Sequence, residues 1–171
     1  GTAVATHIVT VGGTAGLVYT PSQISAAVGD LVHFIFMSNN HSVTQSTFAA
    51  PCNRLATGMD SDLMPNPNNS IVPPPLWEYT VTTSEPTWWY CKQRMGNHCG
   101  KGMVFAINPT ADKTFQMFLD TAVRVNGTVS STPAAVGTGT ATAVATALPS
   151  AVAGAGSEDC KCQCFCPTAA Y

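Results

Sequence analysis

The sequence predicts an all-β sandwich, followed by one amphipathic helix and a low-complexity tail that ends in cysteines. From residue 4 to about residue 108, short runs of β-branched and aromatic residues alternate with Pro, Gly, Asn and Asp. After Pro109 the apolar residues recur with helical spacing instead. Residues 127–157 then contain no charge and no aromatic ring. These changes in pattern divide the 171-residue chain into segments with different structural expectations.

Seven segments have the composition and length of strands, namely 4–11, 23–27, 31–37, 42–46, 76–83, 87–91 and 102–108. Gly12-Gly13 and residues 26–30 are turn signals between them. Seven short strands with such turns are typical of a sandwich. Segment 47–75 is rich in Pro and Asn, so we expect a long loop that Cys52 pins.

The helix follows this β-rich region, which we take as a domain over residues 1–108. Its apolar residues are spaced i, i+3, i+4 and i+7, at Phe115, Phe118, Leu119 and Ala122. Thr110 is placed to act as the N-cap. We therefore predict a helix in 109–126 that packs on the domain.

The remaining residues form an Ala/Thr/Ser/Gly-rich linker over 127–157 and a Cys-rich tail over 158–171. The linker has the composition of a flexible, O-glycosylated stalk. In an extended tail four cysteines share one face, Cys160, Cys162, Cys164 and Cys166. They could clasp a soft metal, but an oxidising compartment favours disulfides with another segment or another copy of the chain. We expect self-association through this tail.

The charge content excludes several classes of partner. Charged residues make up 9% of the chain and its net charge is −2, whereas an average soluble domain has about 25% charged residues. Nucleic acid and anionic membrane surfaces require a concentrated basic face, so neither is an expected partner. Nowhere do 18 consecutive apolar residues occur, so no transmembrane segment is expected. Gly1 and the cysteine content predict a mature secreted product.

The strongest chemical signal is the order of four side chains. Cys91 closes an aromatic strand, and His98 and Met103 follow on the next loop. His41 lies far upstream, after the apolar run 31–37. One thiolate, two imidazoles and one thioether are the ligands of copper sites that transfer one electron. The sequence therefore predicts a single copper site where strand ends and one loop meet.

Short matching segments carry a family resemblance: HIVTVG at 7–12, VGD at 28–30, NHSVTQS at 40–46, PC at 51–52, WYC at 89–91, HC at 98–99 and GMV at 102–104. With them, roughly the first 110 residues resemble a cupredoxin of the phytocyanin type, and especially the cupredoxin-like extracellular proteins of fungi. The resemblance implies a Greek-key β-sandwich with one type 1 copper. Its implied ligands are His41, Cys91, His98 and Met103.

The resemblance implies further roles around the metal. It supports a disulfide between Cys52 and Cys99, and it places the edge of His98 near the surface as the electron port. We expect Asn40 to hydrogen-bond across the site and stiffen it. One departure is visible, because six residues separate Cys91 from His98, more than plant phytocyanins usually have.

The remaining histidines and methionines have structural interpretations. His7 and His33 lie in predicted strands and are expected to be structural. We expect packing or loop roles for three methionines, Met59, Met64 and Met95. Met95 is nevertheless the one competitor for Met103 as axial ligand.

Three sequons begin at Asn40, Asn68 and Asn126. A glycan at Asn40 would crowd the metal, so we predict glycosylation at Asn68 and Asn126. Trp88, Trp89 and Tyr90 are expected to form core and sheet surface.

These observations predict a secreted blue copper protein that transfers single electrons outside the cell or in the cell wall, with a redox partner that the sequence does not identify. Four histidines are too few for a multicopper oxidase, so we expect no enzyme activity. Two alternatives stay open. The chain could be a structural wall or matrix protein that assembles through its tail, or it could capture extracellular copper.

Overall fold

The structure is a computed structural model that describes residues 3–127. Ten strands and one α-helix are present in this part of the chain: β1 (Thr6–Gly12), β2 (Tyr19–Thr20), β3 (Gln23–Ile24), β4 (Leu31–Met37), β5 (Asn40–His41), β6 (Thr44–Ser46), β7 (Met64–Pro65), β8 (Leu76–Thr80), β9 (Thr87–Tyr90), β10 (Val104–Ile107) and α1 (Phe115–Asn126). The predicted all-β fold with one helix is confirmed. The additional strands β2, β5 and β7 have only two residues each, too few to produce a period in the sequence.

The predictions for the tail lie outside the described residues. They concern the linker beyond Gly127 and the four cysteines Cys160, Cys162, Cys164 and Cys166. Within residues 3–127, no helix has the length and apolar character needed to cross a membrane.

Two four-stranded sheets form the sandwich. One has the order β2-β1-β4-β8 and the other has the order β3-β10-β9-β6, while β5 and β7 pair separately. β1 and β4 are parallel, from Thr6 opposite Leu31 to Gly12 opposite Met37. β3 and β10 are also parallel, and the other strand pairs are antiparallel. Because parallel neighbours cannot be joined by a tight hairpin, the chain crosses repeatedly between the sheets.

The main core lies between the two sheets. β4 shows why, since its alternate residues Val32, Phe34 and Phe36 are fully buried while the residues between them are only partly buried. Burial of each such side chain contributes roughly 1.5–3 kcal/mol. The same core holds the buried residues of the neighbouring strands, including Val9, Val11, Tyr19, Tyr79, Trp89, Phe105 and Ile107.

A second apolar cluster lies between the outer face of β9 and β10 and helix α1. Trp88, Tyr90 and Val104 point to this side, where Phe118 and Ala122 of the helix cover them. Every residue of β9 and β10 is therefore buried. Trp89 lies in the main core, and Trp88 and Tyr90 lie on the outer face of the sheet, where the helix covers them.

The helix begins later than its predicted cap. Thr114, not Thr110, is the N-cap, and its side-chain oxygen accepts a hydrogen bond from the Met117 amide at 3.2 Å. Thr110 accepts a similar bond from the Lys113 amide at 3.2 Å. That bond closes an isolated turn which does not continue into the helix. Both threonines therefore make the same kind of local hydrogen bond, and the sequence pattern alone could not show which one caps the helix.

The segment between β6 and β8 is mostly irregular, as expected, apart from β7 and a 3₁₀ turn at Pro67–Asn69. Cys52 in this segment forms a disulfide with Cys99, with Cα atoms 5.7 Å apart. The bridge ties the long loop to the segment that follows His98.

Candidate metal centre

Four side chains from different elements meet at one end of the sandwich. His41 ends β5, and Cys91 directly follows β9. His98 precedes a 3₁₀ turn at Cys99–Lys101, and Met103 directly precedes β10. The structure thus places the predicted residues at strand ends, except for His98, which lies in the loop between Cys91 and Met103.

Three potential ligand atoms converge within hydrogen-bonding range of one another. The Nδ1 atoms of His41 and His98 are 3.2 Å apart. The Sγ atom of Cys91 lies 3.4 Å from Nδ1 of His98 and 3.9 Å from Nδ1 of His41. Within residues 3–127 this is the one group of three or more His, Cys, Asp or Glu side chains placed to hold a metal ion.

The site is closed to solvent. Cys91 and Met103 are fully buried, and His41 and His98 are 1% and 7% exposed. Burial is the main cause that lowers the pKa of His41 to about 4, and the neighbouring His98 adds to it. Burial also lowers the pKa of His98, with a smaller contribution from Lys101. Both imidazoles are therefore neutral near pH 7, which leaves a nitrogen lone pair for a metal.

Cys91 is buried, but hydrogen-bond donors surround its sulfur. Burial raises the pKa of its thiol, while hydrogen bonds from Gln93 and Ser42 oppose that shift. The Ser42 amide donates to Sγ at 3.4 Å. These donors stabilise a negative sulfur once the proton has left.

Ser42 is a functional residue that the sequence did not single out. Its hydroxyl accepts a hydrogen bond from the Lys92 amide at 2.8 Å and contacts the hydroxyl of Thr44 at 2.9 Å. Its carbonyl accepts a bond from the Tyr19 hydroxyl at 2.6 Å. Ser42 therefore joins the strand after His41 to the residue after Cys91. Its position beside His41 was the available signal, but Lys92 lies 50 residues away in sequence.

A charged cluster supports the same junction. The side chain of Asp60 is only 5% exposed, and it accepts hydrogen bonds from the Thr44 hydroxyl at 3.0 Å and from the Lys92 ammonium at 2.7 Å. Lys92 also binds Asp62 at 2.7 Å. The pairing with Lys92 lowers the pKa of Asp62.

Gly12 contacts the ring of His41. A Cβ atom at Gly12 would collide with Nε2 of His41 and would approach the Met37 carbonyl oxygen to 2.5 Å. The position also has a φ of +80° and a ψ of −140°. From the sequence Gly12 was predicted only as a turn residue, since the approach of β1 to His41 is a tertiary feature.

The backbone of Met103 is bonded to the segments of two other ligands. Its amide donates to the His98 carbonyl at 3.0 Å, and its carbonyl accepts from the Cys91 amide at 3.1 Å. Met95, the competing candidate, is 83% exposed. Burial and position therefore favour Met103 as the thioether of the site.

Asn40 does not make the hydrogen bond that was expected across the site. Its Oδ1 atom is buried and has no hydrogen-bond partner among the described residues. The backbone of Asn40 pairs with Pro65 of β7, and the residue lines a cavity beside His98. Ser42, two positions further along the chain, is the residue whose amide donates to Cys91 Sγ.

The other histidines bind carboxylates instead of joining this group. Nε2 of His7 is 2.9 Å from Asp30, and Nε2 of His33 is 2.8 Å from Glu78. The hydrogen bond from His7, together with backbone donors, lowers the pKa of Asp30 to about 2.

The two favoured sequons differ in accessibility. Asn68 is exposed in the 3₁₀ turn. The side-chain amide of Asn126 donates to the Pro51 carbonyl at 3.3 Å, a bond that a glycan would disrupt. Glycosylation stays a prediction, with Asn68 as the more accessible acceptor.

The donor set fits type 1 copper. Two imidazoles and a thiolate with a weak axial thioether are the ligands of blue copper sites. Three such donors converge in a buried pocket, so a bound metal would take its ligands from the protein rather than from solvent.

No protein-family model matches the chain. The chain is similar to the "Probable GPI-anchored cupredoxin-1" of Arthroderma benhamiae, with 34% identity over 94 residues that span 55% of this chain and 46% of that protein. It is also similar to an "Extracellular serine-rich protein" of the same organism, with 29% identity over 154 residues, 81% of this chain and 53% of that protein. The chain thus spans about half the length of these relatives.

Among solved structures, plastocyanin from Dryopteris crassirhizoma has 22% identity and a TM-score of 0.42, over 58% of this chain and 96% of that chain. Auracyanin A, a "blue" copper protein from Chloroflexus aurantiacus, has 13% identity and a TM-score of 0.44, over 61% of this chain and 98% of that chain.

Proposed function

We propose that the chain is a cupredoxin-like protein that binds one copper ion through His41, Cys91, His98 and Met103 and transfers single electrons outside the cell. The observation that supports this most directly is the convergence of Cys91 Sγ with the two histidine Nδ1 atoms over 3.2–3.9 Å. When bound, copper supplies a reversible one-electron change between Cu(II) and Cu(I).

Proton release from Cys91 accompanies metal binding in this proposal. The raised pKa keeps the buried thiol protonated at neutral pH in the metal-free protein. The metal ligand is the thiolate, so the proton on Sγ must pass to solvent. The amides of Ser42 and Gln93 then donate to the negative sulfur.

The fold also limits how far the ligands can move. Met103 is hydrogen-bonded through its backbone to His98 and Cys91, and Ser42 links the His41 segment to Cys91. Close packing in the core further resists displacement. A site with fixed ligands needs little rearrangement when its charge changes, which favours fast electron transfer.

His98 is the proposed electron port. It lines a cavity of about 420 Å³ together with Asn39, Pro65 and the exposed Met95. A redox partner that docks here would lie against a ligand of the metal. The partner itself is unidentified.

The extracellular location is proposed from chemistry and similarity together. The disulfide between Cys52 and Cys99 is typical of oxidising compartments. The two curated relatives have names that describe a GPI-anchored and an extracellular protein. Transfer of electrons through the buried site requires no catalysis by the chain itself.

The test is the visible absorption spectrum of the protein loaded with Cu(II), compared with Cys91→Ser under the same conditions. We expect an intense thiolate-to-copper charge-transfer band that disappears in Cys91→Ser. Met103→Leu is expected to change the band and the reduction potential, while Met95→Leu serves as the matched control and leaves both unchanged. A colourless protein that takes up no stoichiometric copper would refute the proposal.

A further inference from the structure

A second cavity lies beside the metal centre and has a different lining from the His98 cavity. Its volume is about 570 Å³, within the range of small-molecule sites. Cys91 and the disulfide Cys52–Cys99 line it, as do Tyr90 and Arg54. Gln93 is the one residue that this lining shares with the His98 cavity. We call it the basic cavity, because its charged lining residues are Arg54, Lys92, Arg94 and Asp60.

The cations of the basic cavity differ in how far they are already paired. The Lys92 ammonium binds Asp60 and Asp62 at 2.7 Å each. Arg54 approaches Asp60 only through Nε, at 3.5 Å. Its terminal guanidinium nitrogens, and the whole side chain of Arg94, make no hydrogen bond within residues 3–127. Two arginines with unused guanidinium donors therefore line one cavity.

We propose that the basic cavity binds a small organic carboxylate. The planar fork of a guanidinium matches the two oxygens of a carboxylate, and such charge-assisted bonds are stronger than neutral ones. Arg54 and Arg94 hold the carboxylate, and the organic part lies along Tyr90 and the disulfide. The buried Asp60 carboxylate disfavours anions of higher charge, such as phosphate, in the same space.

A bound carboxylate also affects the metal, an effect that rests on the proposed function. Cys91 lines the basic cavity, so a negative charge placed there favours Cu(II) over Cu(I). The reduction potential falls when the site is saturated. By linkage, the factor by which the carboxylate shifts the copper redox equilibrium is also the factor by which it binds the reduced protein more weakly than the oxidised protein.

The binding is tested on the full chain without metal, by amide chemical shifts during titration with benzoate and with its neutral isostere benzamide. We expect saturable shifts at residues 52–54 and 90–97 with benzoate and none with benzamide. The double variant Arg54→Ala/Arg94→Ala weakens benzoate binding by about tenfold or more. The control Lys101→Ala/Lys113→Ala removes the same number of positive charges but alters no residue of the cavity, and it retains benzoate binding.

Equal shifts with benzamide, or equal benzoate affinity in the two double variants, would overturn the proposal. So would saturation by inorganic phosphate without saturation by benzoate. Unchanged amide spectra outside the cavity show that each variant is folded. A second measurement compares the reduction potential of the copper site with and without benzoate. The proposal requires that benzoate lower this potential in the wild type and leave it unchanged in Arg54→Ala/Arg94→Ala. If no blue copper site forms, the metal-free titration still decides whether the cavity binds carboxylates.

Discussion

At Gly12 the imidazole of His41 occupies the space that a side chain would need. A Cβ atom there would also approach Cδ2 of His41 to 2.8 Å. Gly16 has nearly the same backbone conformation, with φ and ψ of 89° and −143° against 80° and −140° at Gly12. A Cβ atom at Gly16 would meet nothing within 4 Å. Substitutions at both glycines would strain the backbone, but only a substitution at Gly12 would also displace His41.

We expect Gly12→Ala and Gly16→Ala to share a strain cost of about 1–3 kcal/mol. Gly12→Ala adds an overpacking cost, typically about 1–3 kcal/mol, because His41 must move. Urea unfolding of the metal-free proteins measures the difference, and the Cu(II) spectrum reports the ligand position. A spectrum altered equally in both variants, or in neither, would contradict a role for Gly12 in positioning His41.

The lowered pKa of His41 predicts how metal-free stability depends on pH. Its ordinary pKa of 6.5 falls to about 4 in the fold, so between these values the unfolded chain binds a proton that the folded chain does not. Stability therefore falls as the pH decreases from about 6.5 to 4, with a slope of up to about 1.4 kcal/mol per pH unit for this group. His98 has a lowered pKa and acts in the same direction.

Urea unfolding of the metal-free protein between pH 4.5 and 7.5 tests this dependence. His41→Asn is expected to reduce the slope, whereas the control His33→Asn removes a histidine outside the site. If stability rises toward pH 4.5, or if His41→Asn leaves the slope unchanged, His41 is not neutral in the fold.

At the scale of single residues, the sequence identified the side chains that can bind a metal but not those that hold them. His41, Cys91 and His98 have side chains whose chemistry is visible in the sequence. Gly12 and Ser42 act through contacts with residues distant in the chain, namely the His41 ring and the Lys92 amide. Asn40 was expected to hydrogen-bond across the site because it adjoins His41, but its buried Oδ1 atom has no hydrogen-bond partner among the described residues.

At the scale of elements, helix α1 supports the ligand loop as well as the sheet. A Cβ atom at Gly102 would approach Leu119 to 2.9 Å, so the helix packs directly on the segment between His98 and Met103. The side chain of Asn97 donates to the Asn126 carbonyl at 2.7 Å, at the end of the helix. The helical period in the sequence predicted an apolar face, but only the tertiary structure shows that it covers β9 and β10.

We expect Phe118→Ala to lower the free energy of unfolding by about 3–5 kcal/mol, because Phe118 is fully buried against Trp88. The control Val125→Ala removes a side chain that is 59% exposed on the same helix, and its effect is expected to stay within about 0.5 kcal/mol. Denaturant unfolding followed by circular dichroism and by tryptophan fluorescence provides the measurement. Loss of helical signal with an unchanged fluorescence transition would mean that the helix is not integral to the fold.

At the scale of the whole molecule, the metal centre lies where segments distant in sequence come together. His41 and Cys91 are 50 residues apart, and the disulfide joins residues separated by 47 positions. The sandwich supplies the strand ends, and the disulfide fixes the loop that carries Cys52 against the segment that follows His98. Short-range patterns predicted the strands, whereas the parallel pairing of β1 with β4 depends on crossovers that such patterns do not encode.

The contribution of the disulfide between Cys52 and Cys99 to stability can be measured. Closing a loop of this length removes unfolded-chain entropy equivalent to about 4 kcal/mol at 25 °C. We therefore expect Cys52→Ser/Cys99→Ser to lose about that much unfolding free energy in the metal-free protein. Because Cys99 directly follows His98, we also expect weaker copper retention, measured by competition with a chelator. For the stability measurement on the metal-free protein, Cys91→Ser is the control, since it removes a buried thiol but no cross-link. A double variant as stable as Cys91→Ser would show that packing alone holds the ligand loop.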